Sequence, residues 1–337
     1  MRQETPAPAP AHARDTDVVD AVVIGRNEGQ RLIDCLTSLR GAVRNIVYVD
    51  SGSSDGSVAA ARAAGAHIVE LDPSRPFTAA RARNAGLAAL PVDNPAPYVQ
   101  MIDGDCSLQP GWIAAARAFL DDRPDVAVAC GRRRERYPQA SIYNRMCDWE
   151  WDTPIGAAES CGGDALMRRA ALDAAGSYDA ALIAGEEPEL CLRLRHSGWK
   201  IRRLDAEMTA HDADMHSMGQ WWQRNRRAGF AYGQVAAKHA GAFRGQRRRI
   251  WLWGVMVPAV AIAGLGASLW LTLGAGALYA ASIGRMGWRL RARSWRARHA
   301  LGGALLIALG RFAGLQGLLT WHLQARRGGH ARIIEYK

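Results

Sequence analysis

The feature that most limits the possible folds is a regular alternation of strand-like and helix-like segments. Short apolar runs rich in valine and isoleucine are each followed by a stretch that has the composition and length of a helix. The predicted strands cover residues 17–25, 45–50, 67–71, 98–103 and 126–131, and the predicted helices cover 29–41, 56–65, 77–90 and 111–122. Alternation at this spacing indicates βαβ units and therefore an α/β fold with a doubly wound, mostly parallel sheet.

Polar residues collect where three of the predicted strands end. They are Arg26, Asn27 and Glu28 after the first strand, Asp50 and Ser51 at the second, and Asp103, Gly104 and Asp105 at the fourth. Ligands of doubly wound sheets bind beyond the carboxyl ends of the strands. We therefore expect these side chains to line one ligand site.

The Asp103-Gly104-Asp105 segment indicates a metal site. The sequence has no GxxxxGK[ST] loop, and no GxGxxG follows the first strand, so the two common phosphate-binding loops are missing. A metal ion must then neutralise the charge of a bound phosphate. Two aspartates supply hard oxygen ligands while Gly104 lets a diphosphate approach, an arrangement typical of Mg²⁺ or Mn²⁺.

Six segments together resemble the family 2 glycosyltransferases of the GT-A fold, in the order in which that family has them. They are VVIGRNEG, VYVDSGSSDGS, ARARNAG, MIDGDCSLQPGW, CGGDALMRR and GEEPELCLRLRHSGW, and the resemblance covers roughly residues 18–235. It implies a nucleoside-diphosphate sugar donor, such as a UDP- or GDP-sugar, and Mg²⁺ or Mn²⁺ as the cofactor.

The resemblance also implies roles for single residues. Asp50 falls on the acid that holds the nucleobase, and Asp103 and Asp105 fall on the metal ligands. His211, preferred to His216, is the candidate third ligand. Arg83 is a candidate for the donor phosphates, with a solvated helix face as the alternative.

The acidic pair Glu186-Glu187 contains the candidate general base. We predict that Pro188 takes the first helical position, which makes Glu187 the N-cap. Glu187 matches the second member of the family's usual Glu-Asp pair, and its extra methylene leaves Glu186 as the alternative base. Ordinary helix capping by solvated acids is the other interpretation. One strong base without a paired nucleophile indicates single displacement with inversion.

Further candidates for contacts with the acceptor or the leaving group are Asp164, Glu186, Trp222, Arg224 and Arg227. Of these, the arginines could neutralise a leaving diphosphate. The segment QWWQRNRRAGF could equally form an amphipathic helix on a bilayer. It does not match the QxxRW motif of processive synthases.

The C-terminal part predicts membrane helices. Residues 250–283 form a run of 34 without a charge, and basic segments lie on both sides of it. One helix of this length would extend about 50 Å against a hydrocarbon core of about 30 Å. A two-span hairpin with both flanks in the cytosol fits the length and the positive-inside rule. A buried hairpin of a soluble protein is the alternative.

The run 301–323 is interrupted by Arg311, and its glycines, Gly303, Gly310, Gly314 and Gly317, fall on one face. We predict an interfacial or re-entrant helix there, followed by a basic tail. Fifteen Lys and Arg but only one acid lie from Arg244 to the end, so this part carries a formal charge of +14. These arginines flank a membrane segment and lack interleaved aromatic residues, which argues against nucleic acid as a partner.

The predicted organisation has three parts. Residues 1–16 form a disordered leader without a secretory signal, residues 17–245 form a soluble GT-A catalytic domain, and residues 246–337 form the membrane hairpin, interfacial helix and tail. The cysteines are expected to be buried reduced thiols.

The predicted protein is a metal-dependent glycosyltransferase with its catalytic domain on the cytosolic face of the inner membrane and a lipid-linked or polysaccharide acceptor. A sugar nucleotidyltransferase and a non-catalytic membrane scaffold for polysaccharide assembly are the alternatives. A nucleotidyltransferase is expected to have a glycine-rich loop after the first strand, and the segment GRNEG matches such a loop poorly.

Overall fold

The computed structural model describes residues 18–327, and a nine-stranded sheet lies at its centre. The predicted leader 1–16 and residues 328–337 of the basic tail lie outside the described residues. The strands are β1 (Val19–Gly25), β2 (Ile46–Asp50), β3 (His67–Glu70), β4 (Tyr98–Asp103), β5 (Cys106–Leu108), β6 (Val126–Glu135), β7 (Gly156–Ala157), β8 (Ala165–Arg168) and β9 (Lys200–His211).

Helices surround the sheet and then continue as a C-terminal helical region. Those up to residue 238 are α1 (Gln30–Leu39), α2 (Ser57–Ala63), α3 (Ala79–Ala88), α4 (Trp112–Asp121), α5 (Ile142–Trp151), α6 (Arg169–Ala175), α7 (Glu186–His196) and α8 (Met218–Lys238). The later ones are α9 (Arg244–Trp251), a π-helical turn (Leu252–Met256), α10 (Val257–Ala267), α11 (Leu269–Ala292) and α12 (Ala297–Arg326).

The strands lie in the order β3-β2-β1-β4-β8-β6-β9-β5, and β7 pairs with β9. Strands β3, β2, β1 and β4 are all parallel, β8 is antiparallel to both of its neighbours, and β9 runs parallel to β6. Only the short strands β5, β7 and β8 oppose the common direction. The predicted α/β fold with a mostly parallel sheet is confirmed.

The first strands have the composition that a parallel sheet demands. β1 and β4 are buried over most of their length because helices cover the sheet, so both read as nearly continuous apolar runs. A Cβ at Gly86 would lie 2.3 Å from Val22 Cγ1. Glycine therefore lets α3 lie close against β1. Arg83, one turn earlier in α3, is thereby held close to the edge of the sheet.

Two elements differ from the prediction in ways that affect the site. Strand β6 continues to Glu135, past its predicted end at residue 131, and β9 beside it runs to His211. Helix α7 begins at Glu186, and Gly185 is its N-cap with φ +82°, so the predicted N-cap at Glu187 is wrong. Pro188 lies in the first turn, where the amide that it lacks would have no helical partner.

Residues 250–283 do form a helical hairpin, which turns at Ser268. Thr272 Oγ1 donates to the Ala261 carbonyl across the turn at 2.8 Å, and the Trp253 and Tyr279 rings contact each other at 5.3 Å. By length and composition alone, the helices able to cross a membrane among residues 18–327 are Arg244–Ala267 and Ala297–Arg326. The same criteria also fit the core helix of a soluble protein.

Helix α12 packs closely on α8. A Cβ at Gly317 would lie 1.9 Å from the Arg226 carbonyl oxygen, and one at Gly229 would lie 2.0 Å from the Gly314 carbonyl oxygen. Gly310 and Gly314 of the predicted glycine face approach Asn225 of α8. The small residues thus allow two helix backbones to approach, as in membrane helix pairs.

A second apolar cluster joins the two sides of the predicted boundary at 245/246. It contains Met146 of α5 and Trp221 of α8 together with Leu290, Trp295 and Ala300 of the C-terminal region. A chain ending at residue 245 would expose these side chains and the glycine face of α8. The two sides of the predicted boundary therefore share one apolar cluster.

We predict that Gly317→Ala destabilises the protein by about 1–3 kcal/mol, because the new methyl group must push α12 away from a backbone carbonyl. Gly276→Ala is the matched control, since nothing lies within 4 Å of a Cβ at that position in α11. Thermal unfolding of both variants in detergent measures the effect. Equal melting temperatures for the two variants would contradict the close packing of α8 and α12.

Candidate active site

The predicted metal ligands Asp105 and His211 meet at the carboxyl ends of the strands. The chain turns after β4 into β5, which pairs with β9 so that Cys106 lies opposite His211. Asp105 Oδ2 lies 3.4 Å from His211 Nε2, and both side chains are largely buried. The alternative His216 is exposed, and its Nε2 lies 3.0 Å from Asp214 Oδ1 instead.

Glu135, which the sequence analysis missed, lies behind His211. Its Oε2 is 3.8 Å from His211 Nδ1, a buried atom that has no hydrogen-bond partner among the described residues. The carboxylate accepts hydrogen bonds from Asn144 Nδ2 and the Ala213 amide, both at 3.1 Å. The alternation within the segment CGRRRE could have revealed this residue. It puts Arg133 and Glu135 on the same face of the sheet when β6 extends to residue 135.

Arg83 connects two of the predicted acids. Its Nη2 lies 2.8 Å from Asp103 Oδ1 and its Nη1 lies 2.7 Å from Glu186 Oε1. The side chain is 4% exposed, so the alternative of a solvated helix face is wrong. Its guanidinium also lies over the Tyr178 ring, 5.5 Å from the centroid.

Asp164 forms the second ion pair of the site. Its Oδ2 lies 2.6 Å from Arg133 Nη2 and accepts a hydrogen bond from Thr209, while its Oδ1 accepts from the Asp103 amide at 3.1 Å. Burial by itself would raise the pKa of the Asp164 carboxyl, but the charge of Arg133 and the hydrogen bonds from Arg133, Cys106 and the Asp103 amide together hold that pKa below its ordinary value. Arg133 also lies 3.6 Å from Asp103 Oδ2, so the two ion pairs are linked.

The acidic pair that opens α7 is divided between two environments. Glu186 faces Arg83, as described, whereas Glu187 Oε1 accepts from the Cys161 amide at 2.6 Å and from the Cys191 thiol at 3.0 Å. Both side chains are largely buried, so the alternative of solvated capping acids does not describe them. Cys161 opens the loop 161–163, whose last glycine borders Arg83 and Asp103.

The loops after β1 and β2 are joined by hydrogen bonds. Asp50 accepts from the Tyr48 hydroxyl at 2.9 Å and from the Ser53 amide at 2.7 Å. Asn27, whose φ is +54°, accepts from the Ser54 amide at 2.8 Å. These contacts shape a polar edge beside β4.

The other predicted residues of this edge lie nearby. The Ser51 amide donates to the Gly25 carbonyl, Glu28 pairs with Arg31, and the Arg26 guanidinium lies over the Phe77 ring. A Cβ at Gly104 would lie 3.2 Å from the Ile24 carbonyl oxygen, so the tight packing of β1 and β4 also requires this glycine.

Three of the candidates for contacts with the acceptor or the leaving group lie along α8. Trp222 Nε1 donates to Gln316 Oε1 of α12 at 2.7 Å, and Arg224 Nη1 lies 2.6 Å from Glu150 Oε2 of α5. Arg227 donates to the Ile183 carbonyl at 3.3 Å. These contacts connect α8 to α5, to α12 and to the segment before α7.

The chemistry of this cluster fits a hard divalent cation. The cluster has more carboxylates than guanidinium groups, which leaves a net charge of about minus two. Its charged members are Asp103, Asp105, Asp164, Glu186, Arg83 and Arg133. Asp105, Cys106 and His211 each offer one possible metal-ligand atom, and these three atoms lie within 4.8 Å of one another. Burial raises the pKa of the Cys106 thiol well above its ordinary value, which leaves carboxylate oxygen and imidazole nitrogen as the donors that Mn²⁺ or Mg²⁺ accepts.

Comparison with known proteins agrees with this arrangement. Residues 20–173 match the family model described as glycosyl transferase family 2. This stretch is a family 2 glycosyltransferase domain. The chain is also 28% identical over 247 residues to the pre-mycofactocin glycosyltransferase of two Mycobacterium tuberculosis strains, a match that covers 69% of this chain and 50% of the relative. The chain thus spans about half the length of the curated relatives that it matches.

The family 2 domain also has a counterpart among solved structures. The mannosyltransferase PcManGT from Pyrobaculum calidifontis, solved with GDP-Man and Mn²⁺, aligns with a TM-score of 0.58 at 17% identity, over 93% of this chain and 89% of that chain. The predicted resemblance to family 2 glycosyltransferases is confirmed at the level of the family and the fold.

Asp164→Asn should destabilise the protein by about 3–5 kcal/mol, because it leaves the buried Arg133 guanidinium without its main counter-charge. Asp205→Asn is the matched control, since that carboxylate is 75% exposed and pairs with the neighbouring Arg132. An exposed pair contributes at most about 1 kcal/mol. Chemical denaturation of both variants measures the difference, and equal losses would show that Arg133 does not depend on Asp164.

Proposed function

We propose that the protein transfers a sugar from a nucleoside-diphosphate sugar, a UDP- or GDP-sugar, to a membrane-associated acceptor that is lipid-linked or a saccharide. The observation that carries the proposal is the meeting of Asp105 and His211 just beyond the end of β4, in a family 2 domain. The Pyrobaculum mannosyltransferase was solved with GDP-Man and Mn²⁺, and the donor set here suits the same ion.

Different residues of the chain are proposed to bind different parts of the donor. Asp103, Asp105 and His211 would hold Mg²⁺ or Mn²⁺, which when bound neutralises the diphosphate and stabilises it as a leaving group. Glu135, 3.8 Å from His211 Nδ1, would orient the ring of this ligand through its negative charge. Asp50 and the polar edge beside it would hold the nucleoside, as the resemblance implies.

Glu187 is the proposed general base for single displacement with inversion. One oxygen of its carboxylate is held by the Cys161 amide, next to the loop that borders the donor site. Glu186 is a weaker candidate because Arg83, which also binds Asp103, occupies its Oε1. The base takes the proton from the acceptor hydroxyl as the oxygen attacks the anomeric carbon, and the sugar–phosphate bond breaks on the opposite side.

Membrane attachment is the second part of the proposal. Seventeen of the 21 exposed large hydrophobic side chains among the described residues lie between positions 251 and 323. Such a surface is expected to be covered by lipid. We propose that the α10–α11 hairpin enters the inner membrane from the cytosolic side.

The most apolar part of 297–326 is 44% buried, against 17% for 244–267. We therefore propose that α12 stays at the interface between the hairpin and α8. In this arrangement the catalytic domain faces the cytosol.

Incubation of the purified full-length protein with a panel of UDP- and GDP-sugars and Mn²⁺ tests the function. We expect one donor to release its nucleoside diphosphate, and the transferred sugar to have inverted anomeric configuration by NMR. Exchange of pyrophosphate into the donor would instead indicate a nucleotidyltransferase. Release from no donor would support a non-catalytic scaffold.

Asp105→Asn should weaken Mn²⁺ binding by roughly 10–100-fold or more, because it removes a charged ligand. Isothermal titration calorimetry with Mn²⁺ measures the change. Asp122→Asn, an exposed carboxylate at the end of α4, is the control and should bind Mn²⁺ as the unmodified protein does. Unchanged affinity in Asp105→Asn would rule out this metal site.

Glu187→Gln should lower kcat by about 10²–10⁴-fold, because a positioned general base contributes that much, while donor affinity barely changes. Glu186→Gln is the matched comparison and should lose less than about tenfold. Steady-state kinetics with the donor found in the screen separates them. A large loss for Glu186→Gln alone would assign the base to Glu186.

A further inference from the structure

Arg311 lies near the middle of α12, against the base of the hairpin. Its guanidinium lies 4.6 Å from the centroid of the Trp253 ring, and its Nη2 donates to Ser282 Oγ at 3.2 Å. Trp253 belongs to the π-helical turn, a kind of turn that is frequent at functional sites. The π-helical turn and α11 therefore both contact this guanidinium and hold it in place.

Among the described residues, no carboxylate acts on the charge of Arg311. Its Nη1 is buried and has no hydrogen-bond partner among the described residues. The ionisable groups that act on it electrostatically are Tyr279, Arg249 and Arg285, and the last two are positive. Residues 244–327 contain no Asp or Glu. Since a partly buried cation without a counter-charge is costly, an anion from outside the chain is expected.

The three arginines share the level at which the hairpin would leave the lipid. Arg249 and Arg285 flank the uncharged run 250–283, so they mark the two ends of the apolar hairpin at its base. Arg311 reaches the same level through Trp253 and Ser282. Lipid phosphates lie at this level of a membrane, where basic residues attract them.

We infer that Arg311, with Arg249 and Arg285, binds the phosphate group of a lipid. The planar guanidinium of Arg311 can donate two hydrogen bonds to phosphate oxygens while Trp253 supports its face. Ser282 holds the other side of the guanidinium in the orientation that phosphate binding needs. Arg249 and Arg285 add the positive charge that an anionic headgroup requires.

Packing connects this phosphate site to the candidate active site. A Cβ at Gly303 of α12 would lie 2.9 Å from Met146 Sδ of α5. At its end, α5 carries Trp151, whose ring contacts His211 at 4.6 Å. That the bound lipid is the acceptor rests on the proposed function, and it would make the acceptor a lipid phosphate. The binding site itself does not depend on that step.

Native mass spectrometry of the full-length protein in detergent tests the inference with phosphatidic acid and diacylglycerol, which differ only by the phosphate. We expect phosphatidic acid to bind the unmodified protein and Arg311→Gln to weaken it by roughly tenfold or more. Diacylglycerol should bind both proteins equally. Arg326→Gln, an exposed arginine in the last turn of α12, is the matched control and should stay within about twofold.

Several outcomes would overturn the inference. Equal binding of phosphatidic acid by Arg311→Gln and the unmodified protein excludes Arg311, and displacement by equimolar inorganic phosphate would show a site for a free anion. If Arg311→Gln does not fold, Arg311→Lys replaces it, because lysine keeps the charge but loses the fork of donors. Unchanged binding in Arg311→Lys would then contradict the bidentate contact.

The assay uses neither donor nor metal, so it separates this inference from the proposed function. Lipid binding that depends on Arg311 without any sugar transfer would contradict the function alone. Sugar transfer together with phosphatidic acid binding that does not depend on Arg311 would contradict the phosphate site alone.

Discussion

The linked ion pairs of Arg83 and Arg133 are the interaction on which the candidate site depends. They bring together Asp103 from β4, Asp164 from the start of β8 and Glu186 from α7. Buried carboxylates are costly unless they are paired and hydrogen-bonded, and the buried Asp164 and Glu186 are both paired with an arginine. Because the cluster still holds more acids than arginines, the same pairing that keeps it folded leaves the negative charge that a divalent cation would balance.

The sequence predicted those site residues that directly follow an easily recognised strand. The first four strands are parallel and separated by helices, and β1, β2 and β4 are mostly buried, so their apolar runs and the polar residues that follow them could be read directly. Arg133 and Glu135 could not be found in the same way, because they matter only once β6 extends beside β9. Strands β5, β7 and β8 are short and paired with distant segments, so composition gives little sign of them.

Helix α7 shows a second limit of local patterns. Pro188 is compatible with more than one position in a first helical turn, and Gly185, with its positive φ, decides the start. With Gly185 as the N-cap, neither acid caps the helix, and Glu186 is the one that faces Arg83. The choice between Glu186 and Glu187 therefore rests on tertiary contacts rather than on sequence spacing.

The C-terminal region shows what composition can and cannot decide. A run without charges predicts the α10–α11 hairpin well, because few soluble segments avoid charge for so long. The glycine face of α12 suits both a membrane helix pair and close packing on α8, and only the contacts reveal that α8 is the partner. The same contacts bring Arg311 to the base of the hairpin, which no pattern along the chain indicates.

The proposed metal centre is assembled from strand ends that lie far apart in the chain, and His211 is its proposed nitrogen ligand. Electron–nuclear double resonance of Mn²⁺ bound to protein with ¹⁵N-labelled histidine tests this assignment. We expect coupling to one histidine nitrogen that disappears in His211→Gln and persists in His216→Gln. Bound Mn²⁺ without histidine coupling, or with coupling that survives His211→Gln, would contradict it.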